Sequence, residues 1–248
     1  MNFNDDEIKR YERHFLIPEI GEAGQQKLHN ASVIIVGIGG LGSVSSLYLT
    51  AAGIGKIGIV DCDTVNISNL QRQILYSTQD VGLSKTQIAY KKLQSLNPNS
   101  KIIPIKEKYT ELTAHSITKD FSYVVDGSDN FETRFLINDI CSNAKIPYIY
   151  GAIYQFYGQI SVFDANQGPC FCCLFPHLPS NENKEANREI GVVGPVPAQI
   201  GSLQALEVIK LILGIGNPLI GRLLLFNGLD MTFKEIVVKK NKSCPVCG

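Results

Sequence analysis

The chain has 248 residues, 44% of them hydrophobic, which is enough for one sizeable core and a small satellite lobe. Lys plus Arg and Asp plus Glu both number 23, so the positive excess that phosphate-backbone binding demands is missing, and no nucleic-acid partner is expected. Met1 to Arg13 is polar and charged, and no run approaches the roughly 18 continuous apolar residues of a membrane span, so no membrane association is expected and the expected compartment is the cytoplasm. In that reducing setting the seven cysteines read as metal ligands or free thiols, not disulfides.

Strand and helix signals alternate along the first part of the chain. Val33 to Val36 is a β-branched run ending in glycines, Ser43 to Ala52 is helix-like, and Lys56 to Asp61 predicts a second strand, which together make a βαβ unit. Ser84 to Leu96 predicts a helix, with Ser84 as its cap and a stop at Asn97-Pro98; Ile102 to Ile105 and Tyr123 to Asp126 predict strands. Phe131 to Ala144 carries helical spacing at Phe135, Ile137, Ile140 and Cys141, and Tyr148 to Tyr150 is a further apolar run. Such alternation implies an α/β fold with a doubly wound, mainly parallel sheet. Beyond Gly151 the pattern changes. Gly158 to Phe163 alternates like a half-exposed strand, Leu223 to Phe226 and Glu235 to Val238 predict an antiparallel C-terminal portion, and a helix is expected over about Ala198 to Leu213. Between Pro176 and Gly194 lies a polar stretch without periodicity, long enough to suggest a functional loop.

Gly37-Ile38-Gly39-Gly40-Leu41-Gly42 matches G-x-G-x-x-G between a strand and a helix, where glycines let the backbone approach phosphates resting on the helix N-terminus. Asp61 ends the next strand, where its carboxylate is placed to accept hydrogen bonds from ribose hydroxyls. The pair implies an adenine nucleotide; the fingerprint alone does not choose between ATP and a nicotinamide or flavin dinucleotide. Arg72 follows in a polar segment. Lys85 stands at a predicted helix start, a position unfavourable for a cation by a few tenths to about 1 kcal/mol unless an anion compensates. Asp129, in Asp126-Gly127-Ser128-Asp129-Asn130, lies on the strand rim where ligands bind and is suited to a hard ion such as magnesium, the plainer reading being a helix cap. Cys170 and Cys173, with Cys244 and Cys247, form two Cys-x-x-Cys pairs, the four thiolates of a closed, structural zinc site; Cys172 is a possible competitor for a place in it. Cys141 falls on an apolar helix face and reads as core, and Cys62 sits beside Asp61.

Arg10-Tyr11-Glu12-Arg13, GIGGLGS, SNLQRQ, GLSK, DGSDN, the Cys-x-x-Cys before Leu174-Phe175-Pro176, GVVGPVPAQIGSLQALEVIK and the terminal Cys-Pro-Val-Cys-Gly together closely resemble the ThiF/MoeB (HesA) family, prokaryotic relatives of the ubiquitin-activating enzymes. The resemblance runs from Arg10 to Gly248 and is nearest to the thiamine-pathway branch. It implies a Rossmann-like domain with an N-terminal helical arm (1–30), a nucleotide-binding half (31–150) and a carrier-binding half with a structural zinc site (151–248). It implies ATP-dependent adenylation of the C-terminal Gly carboxylate of a ubiquitin-like sulfur-carrier protein ending in Gly-Gly, the alternative being the same reaction on a molybdopterin-type carrier. A nicotinamide-dependent oxidoreductase and a non-catalytic binder of a ubiquitin-like protein are the alternatives of a different class.

By that resemblance Gly37, Gly39, Gly40, Gly42, Asp61, Ser68, Asn69, Leu70, Gln71 and Asn130 hold the nucleotide, Arg72 and Lys85 meet its phosphates, and Asp129 carries magnesium. Arg13 reaches into the neighbouring subunit's site of a homodimer. Relatives known for persulfide or acyl-disulfide chemistry carry a cysteine shortly before GVVGP; here Asn187 takes its place, so the expected reaction stops at the acyl-adenylate.

Overall fold

The computed structural model describes residues 3–177 and 191–248. Two helices open the chain, α1 (Asp5–Phe15) and α2 (Gly21–Asn30). Asn4 and Glu7 close a reciprocal capping box on α1, and three acidic residues in its first turn suit the positive end of the helix dipole. A βαβ unit follows, β1 (Ser32–Val36), α3 (Gly40–Ala51) and β2 (Lys56–Val60), then α4 (Lys85–Leu96), β3 (Lys101–Ile105), the short α5 (Ala114–Thr118), β4 (Tyr123–Asp126), α6 (Phe131–Ala144) and β5 (Tyr148–Tyr154). The chain continues through β6 (Tyr157–Phe163), the single turn α7 (Phe171–Leu174), α8 (Pro195–Leu213), β7 (Arg222–Asn227) and β8 (Thr232–Val237).

All eight strands form one sheet in the order β3-β2-β1-β4-β5-β6-β7-β8. Pairing is parallel from β3 to β5 and antiparallel from β5 to β8. β1 and β2 are buried almost throughout, which is why they read as continuous Ile/Val runs instead of alternating. β6 departs from the expected half-exposed strand. Four of its last residues, Ile160 to Phe163, are buried because α8 covers one face and the Tyr148–Tyr150–Phe171 aromatic cluster the other.

One core joins Val33, Ile35, Ile57, Ile59, Val125 and Ile149 to α3, α4 and α8; the other joins Ile34, Val36, Val124, Tyr148 and Tyr150 to α5 and α6. α8 starts three residues before its expected first residue, with Pro195 and Pro197 in its opening turn, where a missing N–H costs nothing, and it ends at Gly214 with φ +72°. It is long and apolar enough to cross a membrane, yet Val196, Ile200, Ala205 and Val208 are buried in the core. Each such side chain contributes roughly 1.5–3 kcal/mol by leaving water, Ala205 less.

Parallel strands leave the sheet on opposite sides at β1 and β4, so a crevice opens beyond their C-terminal ends. There the segments that follow β1 and β4 touch backbone to backbone. A Cβ on Gly37 would lie 2.7 Å from the Gly127 carbonyl oxygen, and one on Gly42 only 2.0 Å from the Gly37 carbonyl oxygen. Glycine at these positions is therefore a steric requirement.

Candidate functional site

The glycine loop runs from the end of β1 into α3. Gly37 has φ +89°, Gly39 precedes the helix, and Gly40 is its first residue, so the unpaired N–H groups of α3 face the crevice. Asp61, just past β2, braces this loop: its Oδ2 accepts a hydrogen bond from Ile38 N at 2.9 Å and its Oδ1 accepts one from Asp63 N at 2.8 Å. The buried Tyr76 phenol donates to the Ile38 carbonyl at 2.9 Å.

Lys85 opens α4 and is buried at 5% exposure. The anion that its helix-start position demands is supplied within the chain. Lys85 Nζ lies 3.0 Å from Asp63 Oδ2 and 3.9 Å from Asp61 Oδ2. Ser84 occupies the cap position but makes no side-chain cap; its hydroxyl meets Thr86 Oγ1 at 3.1 Å instead.

The segment after β2 folds over the mouth of the loop. A short 3-10 turn spans Ile67–Asn69, where Asn66 Oδ1 accepts from Ser68 N and Oγ and Asn69 Oδ1 accepts from Asn66 N. Arg72 Nη1 donates to the Ser68 carbonyl at 3.1 Å, and Arg72 Cγ lies 3.7 Å from where a Gly40 Cβ would be, which sets this side chain over the start of α3. Gln73 Nε2 stands in the same relation to Gly39 at 3.7 Å. Leu70 packs on the core, and Gln71 reaches the GVVGP segment through Nε2 to the Val192 carbonyl at 3.4 Å.

On the far side of the crevice, Asp129 is exposed and Asn130 caps α6, accepting from Thr133 N at 2.9 Å. The cap is thus Asn130 and not Asp129, whose exposed carboxylate accepts from the Asn130 amide at 3.3 Å and stays within reach of a cation. The cap uses Asn130 Oδ1 and the contact to Asp129 uses one N–H of its amide, which leaves the second N–H for a ligand.

The structure therefore brings together Gly37, Gly39, Gly40, Gly42, Asp61, Arg72, Lys85 and the Gly127–Asp129 turn. Arg13 is not among them. It is exposed in the last turn of α1, and its neighbours Tyr11 and His14 are tied to the C-terminal end of α3 through Asn97, Gly53 and the Gln25 bridge to Ala52. α3 is about 18 Å long at 1.5 Å per residue, and its other end holds the glycine loop.

Sequence reading did not single out the buried pair Asp126 and Arg134 beneath the turn. A signal existed: Arg134 shares the spacing i, i+3, i+4, i+7 with Ile137, Asn138 and Cys141, placing a cation on the buried face of α6. Burial pushes the Asp126 carboxyl up against the pull of Arg134, and Asp126 in turn helps hold Arg134 charged.

The four cysteines converge as expected from their spacing. Cys170, Cys173, Cys244 and Cys247 place their sulfurs within 4.8 Å of one another, with Cys170–Cys244 at 3.6 Å and Cys173–Cys247 at 3.5 Å. A tetrahedral ion with bonds of about 2.3 Å has sulfur–sulfur edges of about 3.8 Å, so the cluster fits zinc. Burial raises the Cys244 thiol, but the Cys247 and Val246 N–H groups and neighbouring thiols outweigh it and bring it down to about 7, while burial pushes the Cys170 and Cys247 thiols up, as expected of crowded thiols that need a bound cation to ionise together. Cys172 is turned away, buried against α6, where Asn138 Nδ2 donates to its sulfur at 3.3 Å; it does not compete for the metal. Cys141 is core. Cys62 is exposed, and burial of its sulfur together with Asp63 and Asp61 pushes its thiol up. Asn187 and residues 178–190 of the expected functional loop lie outside the described residues; Val192 beyond them pairs with Gln155.

Comparison with known proteins agrees with this geometry. The ThiF family model matches residues 11–246. The chain is 45% identical to the sulfur carrier protein adenylyltransferase of Thermus thermophilus, across 100% of this chain and 93% of that one. It is 40% identical to the SAMP-activating enzyme E1 of Haloferax volcanii, across 100% and 92%. Among solved structures, Escherichia coli MccB with MccA-N7isoASN superposes with a TM-score of 0.86 at 26% identity, covering 100% of this chain and 76% of that one. A matched region this long, together with the glycine loop, the Asp61–Lys85 brace and the four-cysteine cluster, makes the chain a member of the ThiF family.

Proposed function

We propose that the chain is an adenylyltransferase that activates the C-terminal carboxylate of a small ubiquitin-like sulfur-carrier protein with ATP. The observation that carries this reading is the placement of Arg72 over the N-terminus of α3, at a crevice whose Gly127 turn leads into the exposed carboxylate of Asp129. A cation and a metal-bearing acid then flank the phosphates that the glycine loop receives. The names of the relatives at 45% and 40% identity support the reaction and the kind of substrate.

In the reaction the carrier carboxylate oxygen bonds to the α-phosphorus, the α–β bridging bond breaks, and pyrophosphate leaves with its electrons. The carboxylate is already ionised at neutral pH, so no general base is needed; the site has to align two anions and neutralise the leaving group. One chain alone is short of positive charge for this. Lys85 is already paired with Asp63 and lies 3.9 Å from Asp61, so much of its charge is offset within the chain. Magnesium on Asp129 would supply charge to the phosphates, with Asn130, Ser68 to Gln71 and the loop glycines holding the rest of the nucleotide. Lys85 reaches the phosphates by exchanging its bond to Asp63.

Arg13 supplies a further cation to a second copy's site, since its own helix is anchored at the wrong end of α3. A homodimer is supported by half-exposed Leu206 on the outer face of α8 and exposed Tyr48 on α3, apolar groups on two helices that pack together. The carrier's body sits against the antiparallel end of the sheet, where Leu229, Met231, Phe233, Tyr154, Phe156 and Tyr157 are exposed. Residues 1–30, 31–150 and 151–248 then act as helical arm, nucleotide half and carrier half of one cytoplasmic enzyme. The thiols of the described residues give little support to a covalent link with the carrier: Cys141 and Cys172 are buried, Cys170, Cys173, Cys244 and Cys247 form the metal cluster, and burial with the Asp63 and Asp61 carboxylates pushes the Cys62 thiol up. The product is the acyl-adenylate, and sulfur comes from another protein.

The carrier proposed first is of the thiamine type, on the resemblance of the sequence motifs to that branch, with the molybdopterin type as the alternative. Exchange of labelled pyrophosphate into ATP, run with thiamine-type and molybdopterin-type carriers, should be carrier-dependent and faster with the former. Exchange with neither carrier would refute the function, and faster exchange with the molybdopterin type would change the pathway only.

A further inference from the structure

Beneath the turn that carries Asp129 lies a buried ion pair that none of the nucleotide contacts requires. Asp126 is wholly buried at the end of β4, and Arg134, in the first turns of α6, is 8% exposed. Arg134 Nε lies 3.5 Å from Asp126 Oδ2. The carboxylate is filled by its neighbours: Oδ1 accepts from Ser128 N at 2.8 Å and Ser128 Oγ at 2.6 Å, and Oδ2 accepts from the Tyr148 phenol at 2.8 Å. Arg134 Nη2 donates to the Ser128 carbonyl at 3.2 Å, and the guanidinium lies against the rings of Phe131 and Tyr150. Every polar atom of Ser128 is therefore committed to the pair, and the next residue is Asp129. From the other side Gln204 Nε2 donates to the Asp126 carbonyl at 2.8 Å, and Gly127 presses on Gly37.

Stability alone is a poor explanation for this arrangement. Each buried charge costs several kcal/mol in lost hydration, and well-packed apolar residues of similar volume often serve as well or better. Arg134 Nε, moreover, is buried without a hydrogen-bond partner among the described residues, so the pair is not tuned for the best fit. What the pair does achieve is to immobilise the two backbone units before Asp129, as outer partners of a metal ligand do.

We infer that Asp126 and Arg134 are positioning residues for adenylation, locking the Gly127–Ser128 turn so that Asp129 projects toward the glycine-loop crevice in the orientation that holds the nucleotide's magnesium. This rests on the reading of Asp129 as the magnesium-bearing acid. Neither residue touches the nucleotide or the metal.

The test uses Mn2+ as the probe ion, its binding to the intact protein with a non-hydrolysable ATP analogue followed by electron paramagnetic resonance, beside thermal unfolding. Asp126→Asn and Arg134→Met should each weaken Mn2+ binding about 10-fold, the scale seen when an outer partner of a metal ligand is lost, and lower the unfolding midpoint. The double variant should recover much of the midpoint and none of the Mn2+ affinity. Tyr148→Phe and Ser128→Ala, which keep both charges, should weaken Mn2+ binding by up to about 10-fold, the lower end of that scale, and carry the test if the charge variants do not fold. Recovery of metal affinity in the double variant, or unchanged affinity in both Tyr148→Phe and Ser128→Ala, overturns the inference. Asp129→Asn separates the two claims: if it binds Mn2+ as well as the wild type does, the reading of Asp129 itself fails.

Discussion

Gly37 and Gly127 meet where the strand order reverses, so closely that a Cβ on Gly127 would sit 2.1 Å from the Gly37 carbonyl oxygen. The contact fixes how far the glycine loop stands from the turn that carries Asp129. Gly127→Ala must push the two strand ends apart, at a cost of about 1–3 kcal/mol or more for overpacking a tight contact. It should lower the unfolding midpoint and weaken ATP binding together, measured by calorimetry. Gly82→Ala, at a glycine with φ +85° and open space around it, should lower stability by about 1–2 kcal/mol and leave ATP binding unchanged.

The four-cysteine cluster joins the segment after Gly168 to the C-terminal tail, so the metal closes a long loop. One zinc per chain is expected by elemental analysis. Removing it with a strong chelator, or Cys244→Ser, should cost several kcal/mol of stability, because binding energy at a closed thiolate site is folding energy. Residual nucleotide binding after chelation would show that the nucleotide site folds separately from the metal.

Cys62 is the exposed thiol beside the Asp61 brace, and burial of its sulfur with the Asp63 and Asp61 carboxylates pushes its ionisation upward. At pH 7 it should alkylate with iodoacetamide more slowly than an unstructured cysteine peptide, with a rate that rises past the ordinary thiol value of about 8.5. A dithiothreitol-sensitive adduct between Cys62 and the carrier would contradict the proposal that the reaction ends at the acyl-adenylate.

Asp80 gives the fold an acid-sensitive tie. Burial raises its carboxyl, but donors from Lys92 Nζ at 2.6 Å and Ser77 N at 2.7 Å outweigh it and hold it below the usual range. Because its folded value lies below the unfolded one, its contribution is fully present above the unfolded value of about 3.9 and is lost as pH falls through the folded value. Asp80→Asn should be less stable than wild type at pH 7 by about 1–3 kcal/mol, and the gap should close below about pH 4.

Much of the fold was legible because local signals and burial agree. β4 and α6 occur at the bounds read from the sequence, since Asn130 offers a cap and the apolar residues of α6 keep one period. The helix expected from about Ala198 begins at Pro195, because proline fits a first helical turn. The burial of β6 was missed because it depends on α8 and Phe171, which are remote in sequence. The same limit governs the site. Glycine spacing and paired cysteines are local patterns and could be read directly. That Lys85 finds its anion in Asp63, or that Asp126 and Arg134 lie under the magnesium-side turn, depends on which elements the sheet sets side by side.

The claim at the centre of the account is that fixed cations and a metal-bearing acid let two anions react across this crevice. Carrier-dependent exchange of labelled pyrophosphate into ATP, with Arg72→Ala and Asp129→Asn compared against wild type, tests it most directly. Each variant should fold normally and lose about 100-fold or more of the exchange rate, the scale of removing one preorganised charge-stabilising group. Wild-type exchange rates in a folded protein lacking both side chains would contradict it.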